Sequence, residues 1–415
     1  MCGCQAGGPR DRRDGFPAAG PGDVPDRRLT VPASLPPRRY LDHPATSWPK
    51  PECVLAAMEH AIRAVGAAPG RGAYREGLAA DAIRSAARSA AARMLGSDPQ
   101  RVALPAGATL GLNMAIHGLV EPGWHVIATA ADHNATLRPL HWLSSRGVIE
   151  LDVVPCDGSG FVDPGDVERA WRPTTRLIVF SHASNVTGRL QDAVGLVAVA
   201  RQRGAMSILD AAQTAGVVPI DCGPCGADVV VAPGHKWLQG PAGSGVLWMR
   251  EGLDPRPLLQ GGTGTASDTL AMPETFCDRM EAGTPDLAAL AGFGAAIGWV
   301  EERTLSLLTA HSRTLAAACR AGLAEIRGVR LLTPPDNDGP PIVGFTVEDY
   351  DPSLVAALLE QLGGVRARAG FHCAARIHEH LGTTAGGTVR VGFGPHNTPD
   401  DAAAVIDTVA TITAG

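Results

Sequence analysis

Lysine is almost missing from this sequence. Of 36 basic side chains only Lys50 and Lys236 are lysines, and the rest are arginine. A GC-rich coding sequence produces such a bias. A lysine that survives it invites the question of whether arginine could replace it. An amine that must lose its proton and attack a carbonyl cannot be exchanged for a guanidinium.

Other absences exclude whole classes. There is no surplus of positive charge: the net charge of -6 argues against an extended nucleic-acid-binding face. No apolar run reaches the roughly 18 residues of a membrane span. The longest candidate, Leu287 to Val300, is rich in Ala and Gly and reads as a buried helix. Met1 to Phe16 has no apolar central region, so no secretory signal is expected there. The 9 cysteines are odd in number and sparse in a chain of 415 residues, unlike a disulfide-stapled scaffold. Free thiols in a reducing cytoplasm are expected. The 50 glycines and 33 prolines follow no triplet period, which excludes collagen.

What is there divides into three stretches. Residues 1–38, rich in Gly, Pro, Arg and Asp, read as a disordered or loosely attached leader. Cys2 and Cys4 in it read as a chance pair. Residues 39–300 alternate helical patterns with short β-branched runs. Helices are expected at Val54–Val65, Ala79–Leu95, Thr109–Leu119, Ala135–Ser145 and Asp192–Arg203. Strands are expected at Arg101–Leu104, Trp124–Ala128, Ile149–Val154, Arg176–Phe180, Met206–Leu209 and Asp228–Ala232. Such alternation predicts an α/β fold with a mostly parallel sheet covered by helices, whose ligands gather beyond the carboxyl ends of the strands. After Pro285 a long helical region runs to about Ile326. Residues 301–415 form a smaller α+β domain, with strands near Val329–Leu332, Ile342–Val347, Val365–Arg368 and Thr388–Phe393 under helices Ser353–Leu362 and Pro399–Ile412.

The chemistry concentrates at the strand ends. One strand ends in Asp210 and another in Pro233-Gly234-His235-Lys236. A strand-end carboxylate beside a strand-end lysine suggests pyridoxal phosphate. The lysine forms a Schiff base with the aldehyde, and the carboxylate keeps the pyridine nitrogen protonated. Lys50, between two prolines, is the weaker candidate. Ala106-Gly107-Ala108-Thr109 follows a strand and opens a helix, where backbone N–H groups and the Thr109 hydroxyl suit a phosphate. The same signal marks an ordinary helix cap. His133, past a strand end, could stack on the ring. Asn185 and Gln213 could reach its phenolic oxygen.

Seven ordered segments then carry a resemblance: Tyr40-Leu41-Asp42, Ala131-Asp132-His133-Asn134, Ser181 to Gly188, Leu209 to Gln213, Gly234-His235-Lys236, Glu281 to Pro285 and Arg368 to Cys373. From about Arg39 onward the chain resembles the class V aminotransferase superfamily, in its cysteine desulfurase and selenocysteine lyase branch. The resemblance implies a fold type I pyridoxal-phosphate transferase. It would have a seven-stranded-type sheet in a large domain, whose first part packs on the small one. It implies cysteine desulfuration: L-cysteine becomes L-alanine, and sulfur passes to Cys373 as a persulfide. Lys236 would hold the cofactor aldehyde, Asp210 the pyridine nitrogen, and His133 the ring. Gln213 and Asn185 would face the phenolic oxygen, and Ala108, Thr109 and His235 the phosphate. Thr284 would reach the phosphate of a neighbouring subunit, making a homodimer with shared sites. Arg390 and Arg368 would bind the substrate carboxylate, with Asn185 beside them. A sulfur-acceptor protein is the expected partner, with neither membrane nor nucleic acid involved.

Two positions depart from the family. Pro233 stands where a hydroxyl usually touches the phosphate, and it offers no donor. Tyr74 stands where the partner usually supplies a histidine at the site mouth, which bears on substrate choice and proton handling. Cys373 needs positive charge nearby to ionise, and Arg368 and His372 are close in sequence. Cys222-Gly223-Pro224-Cys225 matches the thioredoxin redox motif. That motif needs a helix starting at its first cysteine, and here a loop is expected instead. His372, Cys373, His378 and His380 do not follow a standard zinc spacing, so no metal is expected. Two other readings remain: a related C–S or C–Se lyase or an aminotransferase of secondary metabolism, in which Cys373 is dispensable, and a sulfur-relay binding protein using Cys222 and Cys225.

Overall fold

The computed structural model describes residues 36–414. Cys2, Cys4 and most of the expected leader lie outside them. The main sheet has seven strands in the spatial order Val102–Ala103, Gly245–Met249, Val229–Pro233, Met206–Asp210, Thr175–Ser181, Trp124–Thr129 and Ile149–Val154. Gly245–Met249 alone runs against its neighbours. The five strands beyond it pair in parallel.

Successive residues of these strands point to opposite faces, and both faces are covered. Ile127, Ile178, Phe180, Leu209 and Val230 enter one core. Val126, Leu177, Val179, Ile208 and Val229 enter the other. Burial on both sides explains why the strands read as continuous apolar runs rather than alternating ones. Helices Ala108–Leu119 and Asn134–Ser145 supply the second core, and Ala193–Gln202 the first.

A second sheet is antiparallel, in the order Arg368–Gly370, Thr388–Gly392, Ile342–Val347 and Val329–Leu331. Helices Leu305–Ala324, Pro352–Gly363 and Pro399–Ala414 close over it around Phe345, Val355, Leu359, Val389, Val391 and Val405. Leu41 joins this core although it lies at the other end of the chain. Arg39–Tyr40 pairs in parallel with Val365–Arg366, and Asp42 bridges Gly392.

Four local expectations change. The strand Gly245–Met249 was not expected, because five buried apolar residues after a Gly-rich turn carry no periodicity. The helical region after Pro285 is two helices, Leu287–Glu302 and Leu305–Ala324, broken at Thr304 with φ 62°. The strand expected at Val365–Arg368 is two short ones, because the chain switches partner at Ala367. Cys222–Cys225 is a one-turn helix rather than a loop. Asp221 caps it by accepting from the Gly223 N–H at 2.9 Å, and Gly226 at φ 69° ends it. Burial raises the pKa of both thiols, so neither is an activated nucleophile.

Candidate active site

At the carboxyl ends of the parallel strands lies a cavity of about 230 Å³. Ala108, Thr109, His133, Asn185, Asp210, Gln213, His235, Lys236, Arg368 and Arg390 all line it, as does Pro233. Cys373 and Thr284 do not. Thr284 is exposed elsewhere on the chain, and Tyr74 precedes the helix Arg75–Met94 with its ring largely exposed.

Asp210 and Lys236 are placed by the ends of adjacent strands. Asp210 closes the central strand, paired with Ser181 on one side and Val231 on the other. Its carboxylate accepts from the Ala212 N–H at 2.9 Å. Burial raises its pKa, opposed by that N–H and by Lys236. Lys236 follows the next strand after a tight turn. A Cβ at Gly234 would run into Ser244 Oγ and the Phe293 ring, so the turn needs glycine. Burial draws the Lys236 ammonium down to about 8, helped by Arg390 and Arg368 and opposed by Asp210 and Asp42. Its proton is therefore held less tightly than that of a solvent-exposed lysine.

His133 caps the helix Asn134–Ser145, its Nδ1 accepting from the Ala135 N–H at 3.0 Å. Burial, with Lys236 and three arginines nearby, brings it down to about 4, so the ring is neutral with its proton on Nε2. The neighbouring Asp132 is fully buried. It accepts from the Thr129 N–H at 2.7 Å and the Ser181 N–H at 2.6 Å, tying two adjacent strand ends together. Burial raises its pKa to about 7. Sequence reading assigned Asp132 no role, because the partner that ties it across the sheet, the Ser181 N–H, lies on a strand 49 residues away.

The far wall is built for an anion. Gly107, at φ 118° with open space around its Cβ position, precedes the helix Ala108–Leu119, and no side chain caps that helix. Its first N–H groups therefore face the cavity side unclaimed. Opposite, Arg390 is buried. It donates to the Asn185 carbonyl at 2.8 Å and to Asp42 Oδ1 at 2.8 Å, and its Nε has no partner. Asn185 Nδ2 donates to the His372 carbonyl at 2.6 Å, leaving its buried Oδ1 unpaired. Gln213 is gripped at both atoms: Oε1 accepts from Trp237 Nε1 at 2.9 Å and Nε2 donates to the Pro44 carbonyl at 3.1 Å.

Cys373 is exposed and sits in an open groove that adjoins the cavity, sharing Thr109, His133 and Ala135 with it. Its loop is left-handed at Gly370, His372 and Cys373, with φ of 99°, 49° and 59°. The Asn134 N–H holds the Cys373 carbonyl at 2.7 Å. Arg368 donates to its Sγ at 3.3 Å. His372 does not serve the thiol as expected. It is buried, its Nε2 lies 2.9 Å from Thr388 Oγ1, and burial keeps it uncharged. Arg368 alone of the two expected neighbours supplies positive charge. His378 is likewise engaged, its Nδ1 2.7 Å from Thr383 Oγ1. Among the described residues no three His, Cys, Asp or Glu side chains converge as a metal would require.

Comparison with known proteins bears on the family and the fold. The family described as Aminotransferase class-V matches residues 39–405. A probable cysteine desulfurase of Methanothermobacter thermautotrophicus is 32% identical over 369 residues, covering 87% of this chain and 91% of that protein. One from Pseudomonas aeruginosa is 34% identical over 370 residues, covering 87% and 90%. Among solved structures, the apo cysteine desulfurase of Thermococcus onnurineus NA1 superposes with a TM-score of 0.85 at 27% identity, covering 91% of this chain and 94% of that one. A cysteine desulfurase from Escherichia coli gives 0.81 at 28% identity, covering 90% and 94%. Proteins of these families are generally dependent on pyridoxal phosphate. With that fold and those strand-end residues, the chain belongs to the class V aminotransferase family, in its cysteine desulfurase branch.

Proposed function

We propose that this chain is a pyridoxal-phosphate-dependent cysteine desulfurase that passes sulfur from L-cysteine to Cys373. The observation that carries this reading is a cavity and a groove beside it that share Thr109, His133 and Ala135. Lys236 and Asp210 line the cavity at neighbouring strand ends, and Cys373 lines the groove, with the cavity residue Arg368 donating to its sulfur.

The residues fit the cofactor. The uncapped helix end after Gly107, with Thr109 and His235, suits its phosphate. Pro233 subtracts one donor there. Asp210 would face the pyridine nitrogen, His133 the ring, and Asn185 and Gln213 the phenolic oxygen. Lys236 would anchor the aldehyde. When bound, the cofactor supplies an electron sink for the substrate's α-carbon. The free Nε and remaining N–H groups of Arg390 would take the substrate carboxylate, steered by Asp42 at the far side. Lys236 Nζ would then take the α-proton.

The Cys373 thiolate attacks the substrate sulfur. A new S–S bond forms and the substrate's C–S bond breaks. The bonding pair stays with the carbon fragment, which gains protons to become alanine. Arg368 donates a hydrogen bond to the attacking sulfur. An acceptor protein would collect the sulfur, since Cys373 is exposed.

We read residues 39–300 and 301–415 as large and small domains. We also read the protein as a cytoplasmic homodimer, in which the exposed Thr284 serves the partner's site. Among the described residues no helix is long and apolar enough to cross a membrane. Product analysis with cysteine, selenocysteine and cystine tests the substrate. Alanine with an equivalent of persulfide from cysteine supports the reading, and inertness toward cysteine overturns it.

A further inference from the structure

The second of the chain's two lysines does not stand apart from the first. Lys50 Nζ donates to the His235 carbonyl at 2.9 Å and to Ser47 Oγ at 2.7 Å. The same carbonyl also accepts from the Ser47 N–H at 2.9 Å, from Thr46 Oγ1 at 3.0 Å and from Ser47 Oγ at 3.2 Å. All of these donors come from the segment Thr46–Lys50. We propose that Lys50 is a positioning residue for catalysis, whose ammonium fixes the His235–Lys236 peptide and so aims the Lys236 amine. This rests on the reading of Lys236 as the reactive lysine.

The geometry follows from peptide planarity. The carbonyl oxygen of His235 and the Cα of Lys236 belong to one rigid plane. Pinning the oxygen limits where the Lys236 side chain can start. A carbonyl has two lone pairs, and the remaining donors satisfy it without Lys50. What Lys50 alone adds is a charge-assisted bond, roughly twice as strong as a neutral one. Lys50 lies outside the cavity lining, so it acts from behind the loop. Burial draws its own pKa down to about 8, the mark of an ammonium wedged among protein atoms. The compact ammonium reaches both Ser47 Oγ and the carbonyl from one nitrogen, a geometry that a planar guanidinium fork does not reproduce atom for atom. That accounts for a lysine surviving here against the arginine bias.

The test is Lys50→Met in the holoenzyme, with Ser47→Ala, which removes the ammonium's other anchor, as a milder second variant. Both should keep the cofactor absorption band. For Lys50→Met, kcat per bound cofactor should fall about tenfold, since small misplacements of a reacting group cost that much or more. KM for cysteine should move by less than about twofold, because Arg390 is untouched. The kinetic isotope effect with α-deuterated cysteine should grow, because proton transfer to Lys236 becomes slower. Ser47→Ala should move the same readouts the same way, by less. A wild-type kcat and isotope effect in Lys50→Met would overturn the proposal. So would a fall in kcat that merely tracks loss of the band. Lys236→Ala separates the two readings: if it keeps the band while Lys50→Met loses it, the assignment of Lys236 itself is wrong.

Discussion

At the scale of single residues, charge placement decides reactivity. Cys373 has an arginine on its sulfur, whereas Cys222 and Cys225 are raised by burial. Cys373→Ala should still bind cofactor and cysteine, because Lys236, Asp210 and Arg390 remain. It should release sulfur at least about a hundredfold more slowly, since a covalent catalyst is removed rather than a binding contact. Sulfide or persulfide assays read this directly, and wild-type turnover would move the chemistry elsewhere. Arg368→Ala leaves Cys373 without its donor. The variant's kcat for cysteine should drop several-fold in the same assays, because the hydrogen bond to Sγ is lost. Lys236, Asp210 and His133 were legible from sequence because each follows a run of β-formers. Lys50 and Asp132 were not, because their partners are backbone groups: the Lys50 carbonyl lies 185 residues away and one Asp132 amide 49 away. No local pattern records such a partner.

At the scale of elements, the structure keeps strain where it serves the site and also where it does not. His372 and Cys373 hold left-handed backbone at the loop that presents the thiol. Thr304 holds φ 62° between two long helices, and its side chain makes no cap hydrogen bond. A β-branched residue is costly there, so Thr304→Gly should stabilise the protein by about 1 kcal/mol. A higher denaturant midpoint with an unchanged slope would show it, and a lower midpoint would disprove it. The break at Thr304 was illegible because no Gly or Pro marks it. The reversed strand Gly245–Met249 was illegible for another reason. A short run buried on both faces carries no period that distinguishes strand from helix.

At the scale of the whole molecule, burial of titratable groups sets the response to acid. Burial brings His43, His133, His182 and His235 each down to about 4. Unfolded histidines titrate near 6.5. Between those values the unfolded chain binds protons that the native one refuses, so stability falls as pH drops from about 6.5 to 4. Asp132, raised to about 7, works the other way: the fold keeps its proton, and acid helps. Four histidines outweigh it. The melting temperature should therefore fall steeply across that window and change little from pH 7 to 8. A flat profile between pH 6.5 and 4 would contradict this account.

The short stretch from Arg39 to Lys50 reaches across both sheets. It pairs with Val365–Arg366, sets Asp42 against Arg390, and grips the loop of Lys236. Asp42 and Arg390 are 348 residues apart in sequence. A ribosome delivers the first of these long before the second. Asp42 must wait without this partner while the residues between them are made, and the Asp42–Arg390 corner can close only after residue 390 has emerged. Fragments released early from the ribosome would thus hold much of the main sheet without a finished site. Until residue 390 has emerged, a nascent chain of this protein has no Arg390 to set against Asp42.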